Sequence, residues 1–441
     1  MSSLLYRQIS ASYPIAVRGD GAIITDGAGR RYIDACGGAA VSSVGHSHPK
    51  VLAAMREHLE RIDYVHTSFF TSEATEALAD ELVAYAPEGM NRVILLGSGS
   101  EAMESALKLA RQCALERGDP QRRNVISRRQ SYHGNTLGAL AISGNVGRRK
   151  VYSPLLFDVH FIDPCFYYRY GDEGESEAEY ALRAAGQLEA KILELGPENV
   201  LAFTAETVVG ATTGSVPASP GYFRKIREIC DKYGVLLILD EVMCGMGRTG
   251  TLHACEQEGI SPDIMAVAKG LGGGYVPIGA VFASKSVYEA LSAGSGTLQN
   301  GFTYMGHPLA SAGALAVQRV IREEQLLANV VRQGGIIRSE LERLLGQHPH
   351  VGDIRGRGLF ISVELVEDRN SKRAFDPGRK VHELVRRAAM DDGLLLYAMG
   401  GTIDGERGNH VMLAPPYTID ENLSGEIAER LAGAVQRTLS A

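Results

Sequence analysis

Six short runs constrain this chain more than any other feature: residues 92–96, 124–127, 200–205, 235–239, 264–268 and 279–283 are apolar and largely continuous instead of alternating. A strand with one wet face must alternate polar and apolar side chains, so an unbroken run belongs to a strand covered on both faces. Helical patterns separate the runs. After Pro220-Gly221, for instance, Phe223, Ile226, Cys230 and Tyr233 recur at three- and four-residue spacing, and Gly234 stops the helix just before the run at 235–239. The middle of the chain therefore reads as α/β, a sheet with helices on both sides. Its ends read differently. Residues 17–35 alternate about the turn Asp26-Gly27-Ala28-Gly29, as a small antiparallel sheet does. From about Glu323 the pattern becomes a long helix, a strand at 359–365, a helix at 379–391, a strand at 410–414 and a last helix, a separate α+β unit. With 441 residues, 45% of them hydrophobic, the chain can bury one large core and a smaller one. The expected division is a small domain from residues 1–50 and 326–441 and a large domain from 51–325.

Charge and cysteine usage exclude several function classes. A net charge of -7, with both signs interspersed, leaves no basic stripe for nucleic acid. The six cysteines form no CxxC pair, which fits reduced thiols and speaks against a disulfide framework or a structural metal. The first ten residues lack an apolar leader core, and no stretch reaches the roughly 18 apolar residues of a membrane span, so a soluble cytoplasmic protein is expected. The 51 glycines gather in short groups flanked by apolar residues, as tight loops around a bound group do.

Chemistry-bearing residues follow the apolar runs. Asp240 and Glu241 stand where the run at 235–239 emerges, at the sheet edge where open α/β sheets bind ligands. A nucleotide hydrolase also places carboxylates there, but the chain has no GxxxxGK[ST] to cradle a phosphate chain. Lys269 follows the run at 264–268 and precedes Gly270 and a glycine triplet at 272–274. A lysine at such a place is neutral, ion-paired or covalently engaged, because burying a free ammonium is costly; a lysine snorkelling to the sheet edge is the structural alternative. The segment GSGSEA at 97–102 opens a helix, offering Gly99 and Ser100 to an anion, while Ser98 and Glu101 also read as a capping box. Tyr132, His133 and Gly134 occupy a polar loop, where Tyr132 can stack on a planar ring and His133 is a base or a hydrogen-bonded loop histidine. Glu206 ends the run at 200–205, and Thr303 lies in the aromatic turn GFTYMGHP at 301–308.

In this order, LDEV at 239–242 with GRTG at 247–250, AKGLGGG at 268–274, GSGSEA at 97–102, YHG at 132–134 and FTYMGHP at 302–308 resemble the class III, omega-type aminotransferases of the fold-type I pyridoxal 5'-phosphate enzymes. The resemblance runs from about Val17 to the last helix. It implies a mostly parallel seven-stranded sheet in the large domain. It implies that Lys269 forms the Schiff base, that Asp240 pairs with the pyridinium nitrogen, and that Val242 and Tyr132 cover the two ring faces. Gly99 and Ser100 would hold the phosphate, and His133, Gly134 and Glu206 would complete the cofactor site. Thr303 would reach the phosphate in a neighbouring subunit, which implies a homodimer with shared sites, or a tetramer built from such dimers.

The implied reaction is ping-pong transfer of an amino group from an omega-amino acid, diamine or amine to a 2-oxo acid such as pyruvate or 2-oxoglutarate. The alternatives are a decarboxylase or aminomutase of the same fold, and a non-catalytic cofactor-binding regulator, for which the chain offers no helix-turn-helix. Met412 stands where relatives acting on 4-aminobutyrate or acetylornithine carry an arginine, which leaves the loop residue Arg407 as the nearest carboxylate-binding candidate. The stretch GGAAV at 37–41 lacks the bulky aromatic of many omega-amine relatives, so that side of the pocket is roomier or filled by Phe69 or Phe70.

Overall fold

The computed structural model describes residues 3–439. Three strands open the chain, β1 (Ala16–Asp20), β2 (Ile23–Asp26) and β3 (Arg31–Asp34), paired antiparallel in that order. The turn between β2 and β3 closes where Gly29, at φ +81°, donates to the Asp26 carbonyl at 2.9 Å.

The next nine strands are β4 (Met90–Leu96), β5 (Asn124–Arg128), β6 (His160–Ile162), β7 (Val200–Glu206), β8 (Val208–Val209), β9 (Val216–Pro217), β10 (Leu236–Asp240), β11 (Ile264–Val267) and β12 (Gly279–Ser284). Seven of them form one sheet in the order β4-β12-β11-β10-β7-β5-β6, while β8 and β9 pair only with each other. Within the large sheet only β12 runs antiparallel to its neighbours, so the sheet is mostly parallel as expected. Every residue of β7, β10 and β11 is buried, which is why those runs are continuous. Alternate side chains still go to opposite faces. Phe203, Leu237, Leu239 and Met265 join one core cluster, whereas Ala202, Ile238, Ile264 and Ala266 join another. Tyr222–Tyr233 packs on the first face and ends at Gly234, whose φ of +64° takes the left-handed cap. Gly99–Glu116 packs on the second.

The C-terminal part begins with the helix Leu326–Leu345 and continues through β13 (Val351–Arg357), β14 (Phe360–Leu365), β15 (Leu394–Leu395), β16 (Tyr397–Gly400) and β17 (Asn409–Leu413) to the helix Glu421–Thr438. Its strands form an antiparallel sheet in the order β13-β14-β17-β16, and β15 adds to β3 in parallel. The two chain ends therefore share a sheet and a core, with Ala22 and Ile33 packed in the same cluster as Val363, Leu394 and Leu431. The long helix expected from about Glu323 starts at Leu326, because Glu323 ends a separate helix, Pro308–Glu323, and Gln325 at φ +53° breaks the register. Arg248, fully buried, donates to the carbonyls of Ser42, Leu359 and Pro415 and so fastens the segment after β10 to both chain ends. Among the described residues no helix is long and apolar enough to cross a membrane, and no group of three or more His, Cys, Asp or Glu is arranged to hold a metal ion.

Candidate active site

The carboxyl ends of β4, β5, β7, β10 and β11 converge on a cavity of about 450 Å³. Such an edge is where an open α/β sheet offers space, since the loops leaving neighbouring strands diverge there. Asp240, the last residue of β10, faces this cavity and is only 4% exposed. Its two oxygens are held separately: Oδ1 accepts from the Val242 N–H at 2.9 Å, and Oδ2 lies 2.8 Å from His133 Nδ1. His133 is buried in turn, its own N–H donating to Ser143 Oγ at 2.8 Å, so the carboxylate is fixed in position before any ligand arrives. The adjacent Glu241 points the other way. It accepts from the N–H groups of Ala254 and Cys255, both at 2.7 Å, and from Thr207 Oγ1 at 2.9 Å, and burial pushes its carboxyl up to about 7. One carboxylate of the pair is offered to the cavity, and the other holds a loop.

Lys269 leaves the end of β11 with φ +44°, a left-handed conformation that a non-glycine residue adopts only under constraint from its surroundings. Its side chain lines the same cavity as Asp240. Burial pushes its amine down to about 8; attraction to Asp240 opposes the fall, and Arg148 adds to it. At neutral pH about a tenth of such an amine is unprotonated and nucleophilic, roughly 300-fold more than for an ordinary lysine.

The opposite wall is made by a helix start. Gly97, Ser98, Gly99 and Ser100 line the cavity where β4 passes into Gly99–Glu116, whose first N–H groups face it with the positive end of the helix dipole. Ser98 caps this helix by accepting from the Glu101 N–H at 3.2 Å, but the Glu101 carboxylate accepts from the Gly97 N–H at 2.8 Å and not from Ser98, so only half of the expected capping box forms beside the anion site. Gly99 has no room for a side chain, because a Cβ there would lie 2.9 Å from Val242 Cγ1. Gly134, at φ +142°, is equally tight, since its Cβ would meet Ser100 Oγ at 2.8 Å. Ser100 Oγ accepts from the Asn135 N–H at 2.9 Å, which ties this wall to the Tyr132 loop.

Tyr132 lines the cavity, and its N–H donates to Glu206 Oε1 at 3.1 Å. Burial raises the Glu206 carboxyl, and its Oε2 is a buried atom without a hydrogen-bond partner among the described residues. A ligand with an aldehyde, a basic ring nitrogen and a phosphate thus meets an amine of lowered basicity, a fixed carboxylate and a helix N-terminus, with Val242 and Tyr132 on the cavity wall for a flat ring. The donor set fits pyridoxal 5'-phosphate.

Of the residues singled out in the sequence, Gly99, Ser100, Tyr132, His133, Gly134, Glu206, Asp240, Val242 and Lys269 come together here, and Ala39 and Val41 line one side. Three do not. Arg407 is turned out of the pocket: it is 64% exposed, and its Nε donates to Asp404 at 2.6 Å. Phe70 stands 68% exposed on a surface turn, and Thr303 is exposed with its carbonyl bonded to Tyr64 Oη at 2.8 Å; neither lines the cavity of its own chain. Several lining residues carry no sequence signal of the site, among them Arg7, Arg148, Met243 and Tyr397. Arg148 sits in a short basic segment that reads as a solvated turn, and nothing local distinguishes it from Arg149.

A family model for the class-III aminotransferases matches residues 7–435. An uncharacterized aminotransferase of Schizosaccharomyces pombe is 42% identical over 99% of this chain and 96% of its own length. The putrescine–pyruvate aminotransferase of Pseudomonas aeruginosa is 36% identical over 97% of this chain and 91% of its own. The crystal structure of the omega transaminase from Pseudomonas jessenii in complex with PMP superposes with a TM-score of 0.93 at 33% identity, covering 99% of this chain and 96% of that one.

Proposed function

This chain belongs to the class-III aminotransferases, and from that premise we propose how its own residues divide the work of moving an amino group from an omega-amino acid, diamine or amine to a 2-oxo acid such as pyruvate or 2-oxoglutarate. The observation that carries the proposal is the pairing, on one cavity, of a Lys269 amine pushed down to about 8 with an Asp240 carboxylate locked by His133. Bound pyridoxal 5'-phosphate supplies an aldehyde that takes up the amino group and a protonated ring that takes up the electrons left on the donor carbon.

Lys269 would hold the cofactor through its amine and, when free, would carry the proton between the two carbons that exchange it. Asp240 keeps the proton on the ring nitrogen. His133 is a positioning residue for Asp240, and the N–H groups at Gly99 and Ser100 hold the phosphate. Val242 and Tyr132 flank the ring, Gly134 lets the Tyr132 loop close on Ser100, and Glu206 anchors that loop. In the ping-pong order the carbonyl product of the donor leaves before the acceptor enters the same pocket.

The expected division into a large cofactor-binding domain, residues 51–325, and a small one from residues 1–50 and 326–441 is supported by the core shared between the chain ends. A homodimer with shared sites is supported by an exposed aromatic cluster: Phe69, Phe70 and Tyr304 are 78%, 68% and 63% exposed, and Tyr64 packs edge-on to Tyr304 at 5.7 Å beside Thr303. The six free, buried cysteines support a cytoplasmic setting.

The test uses half-reactions of the loaded enzyme. A single addition of diamine or omega-amino acid should remove the absorption of the lysine-bound cofactor with one equivalent of carbonyl product per site, and pyruvate should restore it. Continuous release of carbon dioxide without an oxo acid would replace this reading with the decarboxylase.

A further inference from the structure

The acceptor in this reaction carries a carboxylate throughout, and some donors do as well. Placing that charge in a cavity already lined by Asp240 and Glu206 requires a fixed cation, because an unpaired buried carboxylate is strongly disfavoured. Lys269 is committed to the cofactor. The position that relatives fill with an arginine holds Met412, fully buried in an apolar cluster, and Arg407 is spent on Asp404. The arginines left on the cavity wall are Arg7 and Arg148. Arg7 lies exposed on the N-terminal segment, where a charge pair gains little against solvent.

Arg148 is built differently. The backbone beneath it is pinned by Asn145, whose N–H donates to the Ser131 carbonyl at 3.1 Å and whose Nδ2 donates to Gln130 Oε1 at 2.9 Å. Gln130 Nε2 in turn donates to the Gly401 carbonyl at 3.1 Å. The Arg148 guanidinium lies over the Tyr132 ring, 4.3 Å from its centroid, which orients its plane without using its donors. Its Nε is sealed and has no hydrogen-bond partner, and no carboxylate among the described residues pairs with it. A half-buried guanidinium that is held in place yet has its terminal nitrogens free is suited to a ligand that brings two parallel oxygens.

We propose that Arg148 is the carboxylate anchor of this pocket: its two Nη groups donate to the carboxylate of the incoming 2-oxo acid, and of any carboxylate-bearing donor, while diamines and simple amines bind without using it. The proposal rests on the aminotransferase reading above and assigns the acid-recognising side of that site.

The test compares holoenzymes carrying Arg148→Gln, Arg148→Lys and Arg7→Gln with the natural protein. The quantities read are kcat and KM for pyruvate, the half-reaction with 1,4-diaminobutane, and the inhibition constant of propionate, an unreactive carboxylate. Arg148→Gln should raise the pyruvate KM and the propionate constant by roughly 10- to 100-fold, the range for losing a charge-assisted pair, with kcat for pyruvate far less affected. The loss should be at least about tenfold greater for pyruvate than for the diamine. Arg148→Lys, which keeps the charge and loses the fork, should fall between. Equal losses for diamine and pyruvate, an unmoved propionate constant, or a larger effect from Arg7→Gln would each overturn the assignment. Should the natural holoenzyme turn over no amine at all, the aminotransferase reading would fall instead, and calorimetric binding of propionate to natural and Arg148→Gln holoenzyme would still decide the anchor.

Discussion

Lys269 is the residue on which the proposed chemistry turns, and its lowered basicity has two measurable consequences. Capture of pyridoxal 5'-phosphate by the apoprotein should accelerate with pH and level off above a midpoint near 8, whereas an ordinary lysine would still be gaining at pH 10, as rapid-mixing absorbance would show. The same shift sets a stability slope. The unfolded chain keeps its proton on this lysine up to about pH 10.5 and the folded apoprotein only to about 8, so between those values the unfolded state binds more protons and apoprotein stability rises with pH. Lys269→Met should remove that slope and, below pH 8, stabilise the apoprotein by up to about 3 kcal/mol in denaturant titration. Asp240→Asn should leave the cofactor in place but reduce kcat by roughly 100-fold or more, because the fixed charge on the ring nitrogen is lost. Lys269 and Asp240 were legible because each ends an apolar run, a place where a charged residue needs a reason. His133 was legible as a site residue, but its pairing with Asp240, 107 positions away, was not, and Arg148 was hidden because its anchor is a relay from Asn145 to Gln130 to Gly401.

At the level of elements, the site depends on how closely the start of Gly99–Glu116 approaches the loop after β10. Gly99→Ala would push a methyl carbon to 2.9 Å from Val242 Cγ1 and 3.4 Å from Ala268 Cβ. Overpacking of this kind should weaken cofactor affinity by roughly tenfold or more in a fluorescence titration, and adding Val242→Ala should recover most of the loss. Removal of the valine alone should cost less than the glycine change, which separates a steric effect from a missing ring contact. The strands of the large sheet were readable because burial on both faces makes them uniformly apolar. The exception, β6, spans three residues and begins with His160 at the sheet edge, too short and too polar to give a run. Helix ends were readable where a glycine takes a left-handed cap, as at Gly234, and unreadable at Gln325, where a non-glycine residue does so.

For the whole molecule, the placement of Thr303 and Phe70 outside the cavity of their own chain gives the account a quaternary prediction. If the proposed homodimer forms through this face, Phe70→Asp combined with Tyr304→Asp should yield monomers in sedimentation velocity, and these should bind pyridoxal 5'-phosphate more weakly for want of the proposed Thr303 contact from a second copy. A single chain could not reveal this from its sequence: a phenylalanine pair in a core and one on a docking face look alike until exposure is known. The sharing of a core by both chain ends was only partly visible, since the parallel pairing of β15 with β3 joins segments some 360 residues apart, a relation that local patterns do not encode. The central claim is that Lys269, and no other amine, carries the cofactor. Reduction of the loaded enzyme with borohydride, followed by proteolysis and peptide mass mapping, tests it most directly: the account predicts one pyridoxyl adduct per chain, on Lys269, and a stable adduct on any other lysine, or none at all, would contradict it.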